Sequence, residues 1–326
     1  MRIPAAIALL SLVAGCARIF GIEPTLLVDA SVAGDGPVVT GPHYYYVIDR
    51  EYVPIDNDSS RQYGLDLNGD GATDNRLGSL LSSLNAMGLN LQDGTTYSID
   101  RGHSIRLIDV QTSSFADTPL AAFDVVAGTD PMPSACEDAS DSMCRRHLDG
   151  FGSFLRVPGG VAAIGPIAQG RWTTTMPGQF AIDIGFDMNV KMTLPLHGAV
   201  IDVAHVAADG LGASNGSQQR PAVIAGGVLP KDITDQYPAL QNGLQAIVNR
   251  DCNQPQMPPG CGCLGGSPGQ ALIQLLDTTP NCYVTVVELT NNTLLAALLA
   301  PDVTIDQQQM LSFGVGFTAV PALVRN

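Results

Sequence analysis

The sequence predicts an α+β, β-rich fold: an antiparallel sheet or sandwich, a few short helices, and one loop that feeds straight into a helix. Three observations lead there. Residues 180–196 alternate apolar and polar with a period of two. Shorter apolar runs recur between polar turns, and helical spacing is confined to brief stretches. At 326 residues and 45% hydrophobic side chains, the chain has ample material for a packed core.

The N-terminus sets the expected compartment. Arg2, an apolar run from Ile3 to Val13 and the small pair Ala14-Gly15 carry the marks of a secretory signal over 1–15. The run is too short to cross a bilayer as a helix, which needs about 20 residues. Small residues directly before Cys16 resemble the bacterial lipobox. That resemblance implies that Cys16 becomes the first mature residue and carries lipid, the anchor to a membrane. Ala17 behind it resembles outer-membrane sorting in bacterial lipoproteins. Residues 16–42, rich in Gly, Pro, Val and Ala, read as a tether. The β-rich body is expected over 43–326, with the Pro-, Ser- and Asp-rich stretch 128–152 as a long loop and the place for a seam.

The body opens on Tyr44-Tyr45-Tyr46-Val47-Ile48, aromatic and branched residues that favour a strand. The stretch 66–75 then places oxygens in a fixed order. Asp66, Asn68 and Asp70 stand at loop positions one, three and five, Gly71 at six permits a sharp bend, the Ala72 carbonyl falls at seven, and Asp74 at nine. This is the order of a calcium loop; turn preference alone needs no such order. Position twelve, where a bidentate glutamate completes such a site, is Leu77. Affinity is therefore expected at the weak end, on the order of 10⁻⁴–10⁻³ M. Asp74 or Asn75 can cap a helix whose Leu77, Leu80, Leu81, Leu84 and Met87 share one face, with Gly88 as its stop. An ion here would fix how the helix leaves the first strand, a structural role.

Residues 105–110 and 122–126 read as strands. From Phe180 to Leu196 every even position is apolar and most odd ones are polar or small, which predicts one buried and one solvated sheet face. Parity demands an odd-length turn to keep Phe186 and Val190 together, so a hairpin with a three-residue loop at 187–189 is predicted. Residues 199–206 and 222–229 read as buried strands, the second with a bulge at Gly226-Gly227. Residues 231–250 read as a helix starting near Pro238; 270–276 and 293–300 read as short helices, and 311–317 as a Gly-spaced closing strand.

The net charge of −15, from 31 acidic against 16 basic residues, argues against nucleic acid or an anionic membrane surface as partner. With Cys16 set aside, Cys136, Cys144, Cys252, Cys261, Cys263 and Cys282 form an even set, and in an exported chain that predicts disulfides. Cys136 is expected to pair with Cys144. Cys261 and Cys263 are too close to pair, so they reach Cys252 and Cys282 in an order the spacing leaves open. Irregular spacing argues against a four-cysteine zinc site. His197 and His205, on either side of Asp202, lack a chelating spacing and read as buried histidines. No Gly-x-Ser-x-Gly elbow, His-Glu-x-x-His pair or P-loop occurs.

The layout of lipobox, tether, Tyr-rich strand leading to Asp-Arg-Glu-Tyr-Val-Pro, the loop segment and a Gly-Val-Gly-Phe-Thr-Ala-Val ending resembles lipoproteins of myxobacterial type. That group has no established activity, so the resemblance implies no catalytic residue. The loop alone resembles thrombospondin type-3 and EF-hand calcium loops. The expectation is a lipid-anchored envelope protein, non-enzymatic, that binds a protein or small molecule or plays a structural part. A carrier for a hydrophobic ligand is the alternative, and an envelope hydrolase a weaker one.

Overall fold

Aromatic and branched residues build the first strand, β1 (His43–Tyr52), and the chain then alternates strands with short helices. The computed structural model describes residues 37–137, 140–187, 190–212, 221–252 and 261–325. The signal 1–15, Cys16 and most of the tether lie outside them. The stretch 128–152 lies inside the compact unit Val39–Asn326.

After β1 come α1 (Asn57–Gln62), α2 (Arg76–Ala86) and α3 (Leu91–Asp100). Two strands follow, β2 (Arg106–Gln111) and β3 (Asp117–Met132), then a 3-10 turn at Cys144–Leu148. The next group is β4 (Ser153–Val157), β5 (Ala163–Ala168), β6 (Arg171–Thr173), β7 (Gly178–Asp187) and β8 (Val190–Val203). Short β9 (Val206–Ala207) and β10 (Gly210–Leu211) precede β11 (Ala222–Val228). The helical cover is α4 (Pro230–Thr234), α5 (Tyr237–Asp251), α6 (Pro268–Leu276), α7 (Val286–Asn291) and α8 (Thr293–Leu298). The chain closes with β12 (Val303–Ile305), β13 (Gln308–Pro321) and β14 (Leu323–Arg325).

The fold is α+β and strand-rich, with one large antiparallel sheet. Its neighbours run β1-β2-β3-β5-β6-β8-β11-β13, and β13 pairs back onto β1, so the sheet closes on itself as a barrel. Closure removes the two long edges that an open sheet would leave. One core draws residues from every strand of the ring, among them Tyr46, Ile108, Phe123, Ile167, Trp172, Ile201, Ile224 and Phe313. That shared face is therefore the inside. Phe123 and Trp172 stack there with ring centroids 4.0 Å apart. Neighbours of opposite parity, Val47, Leu107 and Val126, face outward into a second cluster with Ile99, Leu148 and Phe154. Among the described residues only β14 pairs in parallel, along β4.

The hairpin of β7 and β8 forms as predicted, with Phe180 opposite Leu196 and Ile184 opposite Met192. Its turn differs. A register shift after Gly185 brings Asp187 opposite Val190, so a bulge, and not a three-residue loop, preserves parity; residues 188–189 lie outside the described ones. Among the described residues the even face is buried as expected, but the odd face is only partly solvated, with Lys191 exposed and Ala181, Thr193 and Pro195 half-buried. Asp183 and Gly185 are buried beneath α3, because a Cβ on Gly185 would stand only 2.4 Å from the backbone of Gly94. Residues 199–203 are no separate strand: they continue β8, whose buried parity switches from even to odd at Gly198, φ +55°. The bulge at Gly226-Gly227 is present in β11. The helix expected to start near Pro238 does so as α5, from Tyr237 with Pro238 in its first turn, and the short α4 precedes it. The long loop expected over 128–152 begins as β3 and holds the 3-10 turn.

All six body cysteines pair: Cys136 with Cys144, Cys252 with Cys263, and Cys261 with Cys282. The last two bridges pin α5, α6 and the segment before α7 to one another.

Candidate functional site

The loop 66–74 sits between α1 and α2, and its ends are closed by a bridge in which the Asp74 N–H donates to the Leu65 carbonyl at 3.0 Å. Within it, backbone N–H groups turn onto side-chain oxygens in sequence. Gly69 donates to Asp66 Oδ1 at 2.7 Å and Gly71 to Asp66 Oδ2 at 2.9 Å. Asp70 donates to Asn68 Oδ1 at 2.9 Å, Ala72 to Asp70 Oδ1 at 2.7 Å, and Leu67 to Asp74 Oδ2 at 2.9 Å. Gly69 and Gly71 both adopt positive φ, +80° and +85°, which a side chain would strain. These bonds, led by the one from Gly71, hold the Asp66 carboxyl below its ordinary pKa. Partial burial lifts that of Asp74, helped by Asp70 and by Asp302 from the segment before β12.

The predicted donors Asp66, Asn68, Asp70, Ala72 and Asp74 thus lie on one tight turn. Among the described residues, however, no three His, Cys, Asp or Glu side chains converge on a single metal position. The donor chemistry fits calcium: three carboxylates, an amide oxygen and a carbonyl are hard ligands, and among the described residues Asp70 Oδ2 and Asp74 Oδ1 accept no backbone bond. The sixth and later oxygens must come from water or a neighbour, because Leu77 at position twelve is 2% exposed and packs in the core.

Asn75, directly after the loop, anchors the turn. Its Oδ1 caps α2 through the Gly78 N–H and also accepts from the Gly314 N–H, both at 3.0 Å. Its Nδ2 donates to the carbonyls of Ser60 at 2.9 Å and Gly314 at 3.1 Å. The pairing of β1 with β13 ends at Tyr52 opposite Gly316, and Asn75 supplies the next rung by mimicking a strand residue. The loop is thereby tied to the barrel.

A second polar group lies buried where β1, β2 and β7 meet, and the sequence pattern did not announce it. Asp183 accepts from Ser104, Arg106, Lys191 and Thr193 at 2.8, 2.7, 3.1 and 2.6 Å. Burial works against its charge, yet Arg106 and the other donors hold its pKa below the ordinary value. Glu51, 3% exposed, has an oxygen with no hydrogen bond, and burial followed by the charge of Asp183 pushes its pKa up to about 8 against the pull of Arg106. The run Asp49-Arg50-Glu51 inside a strand was the available signal: three charged residues in a row mean that at least one points inward.

His197 and His205, expected to be buried, are half-buried, and His43 meets Asp109 at 2.8 Å. Asp202 is engaged by Arg171 at 2.5 Å, and His197 faces Asp232 at 3.4 Å. Among the described residues no helix is long and apolar enough to cross a membrane. No protein-family model, curated protein or solved structure matches this chain.

Proposed function

We propose that the protein is exported, held to a bacterial envelope by lipid on Cys16, and serves there as a non-enzymatic binding or structural module whose loop 66–74 takes up calcium. The observation that carries the calcium reading is the ordered return of backbone N–H groups onto Asp66, Asn68, Asp70 and Asp74. Those bonds fold the loop back onto its own side-chain oxygens, and an ion would have to draw the carboxylates together, since among the described residues no three of them converge. Because Asn75 locks the loop to β13, ordering the loop orders the junction of barrel and α2. The role is structural.

Thermal melting with calcium and with chelator tests this. Calcium at ten times its Kd should stabilise by about 1.4 kcal/mol through mass action, read as a rise in Tm, and Asp70→Ala should remove that rise. Identical melting curves would take the ion out of the account. Mass spectrometry of the mature N-terminus tests the anchor; any first residue other than a lipidated Cys16 refutes it.

A further inference from the structure

Beside the loop, α1 and the end of β1 wall a cleft of about 610 Å³, a size that accommodates a small ligand. The rings of Tyr52 and Tyr63 stand in it with centroids 6.3 Å apart and planes inclined by 35°. Arg145 in the wall is already neutralised, bonded to Asp100 and 3.6 Å from Asp49. Other groups are left for a guest. Among the described residues the Arg50 guanidinium, the Gln62 amide and the two tyrosine hydroxyls make no hydrogen bond or ion pair. On the same wall Asp56 caps α1 through Ser59 and Asp58 pairs with Arg61, each through its Oδ1, so both still present carboxylate charge and acceptor capacity to the cleft.

The mixture of signs narrows the guest. An anion would meet Asp56 and Asp58, and a cation would meet Arg50. A hydroxyl faces neither objection, since it donates to a carboxylate or amide oxygen and accepts from a guanidinium or phenol. The apolar face of a sugar ring can stack on tyrosine. We propose that this cleft binds a neutral saccharide. The inference rests on the reading of the protein as a binding module and is independent of the lipid anchor. It also gives the loop a purpose: α1 is tied to the helix after the loop, with Ser60 Oγ 3.0 Å from Ser79 Oγ and Ser82 Oγ 2.9 Å from the Asp56 carbonyl, so an ion would stiffen one wall.

Calorimetric titration of the full chain tests the proposal, with cellotriose, chitotriose and maltotriose as probes and spermidine and citrate as charged controls, each with calcium and with chelator. One or more of the trisaccharides should bind. Arg50→Ala and Gln62→Ala, both at exposed positions that leave the core intact, should each weaken binding by about five- to tenfold. Tyr52→Ala should do the same, whereas Tyr52→Phe keeps the ring and most of the affinity. Absence of binding by all three sugars overturns the proposal, as does affinity untouched by these variants, or spermidine or citrate taking the site instead. A chain that responds to calcium but binds no sugar sinks the cleft alone; one that binds sugar without a calcium response sinks the loop alone.

Discussion

Glu51 lies buried on β1 with one carboxyl oxygen that makes no hydrogen bond. It is protonated in the fold near neutral pH, because burial and Asp183 oppose its charge more than Arg106 favours it. Its folded pKa, about 8, exceeds the ordinary value of 4.5. Below pH 4.5 both states hold the proton and the group costs nothing. As pH climbs from there to about 8 the unfolded chain releases its proton first, and stability falls by roughly 1.4 kcal/mol per pH unit from this group. Glu51→Gln keeps the shape without the titration. The variant should match the parent in Tm near pH 5 and exceed it near pH 8; parallel curves across that range would remove Glu51 from the explanation. Asp183 behaves oppositely. Asp183→Asn strands Arg106 and Lys191 and should cost about 3–5 kcal/mol, seen as a lowered denaturant midpoint at neutral pH.

Among the elements, those with strong local patterns were legible and those made by tertiary contact were not. The capped helix at Asn75 and the alternation of β7 and β8 follow from spacing alone. Helix α3 does not: Gly94, Thr95 and Thr96 are poor helix formers, and it stands because Gly94 fits against Gly185 where no side chain would. Helix α7 begins with two valines, yet Thr285 and Glu288 form a capping box that was readable as a start signal. The loop oxygens were legible by their order, but the second duty of Asn75 was not, since Gly314 is 239 residues away. That duty sets its cost of removal. Asn75→Ala loses a cap worth about 1 kcal/mol and leaves the Gly314 N–H and carbonyl without their partner, adding about 1–3 kcal/mol. Urea unfolding should register a loss of about 3 kcal/mol. A loss below 1 kcal/mol would mean that water replaces the rung and the elbow is looser than it looks.

At the scale of the molecule, closure depends on β13, which pairs with β1 on one side and β11 on the other. No local pattern encodes the meeting of strands that far apart in sequence, which is why an open sheet or a sandwich fits the same residues. The helical cover is held differently. Leu244, Ile247, Val248, Leu272 and Leu276 lay an apolar layer over Ile182, Ile184 and Leu194, but α6 and α7 are short and would gain little stability alone. The bridges Cys252–Cys263 and Cys261–Cys282, spanning 11 and 21 residues, supply what propensity does not. In the chain-entropy account a closed loop of that larger size contributes about 3 kcal/mol. The barrel owes its stability to its own ladders and core, so loss of the bridge should loosen the cover first. The double variant Cys261→Ser with Cys282→Ser should therefore show faster amide exchange in α5, α6 and α7 while β1, β11 and β13 stay protected. Uniform acceleration throughout would show instead that cover and barrel unfold as a single cooperative body, with the disulfides stabilising both alike.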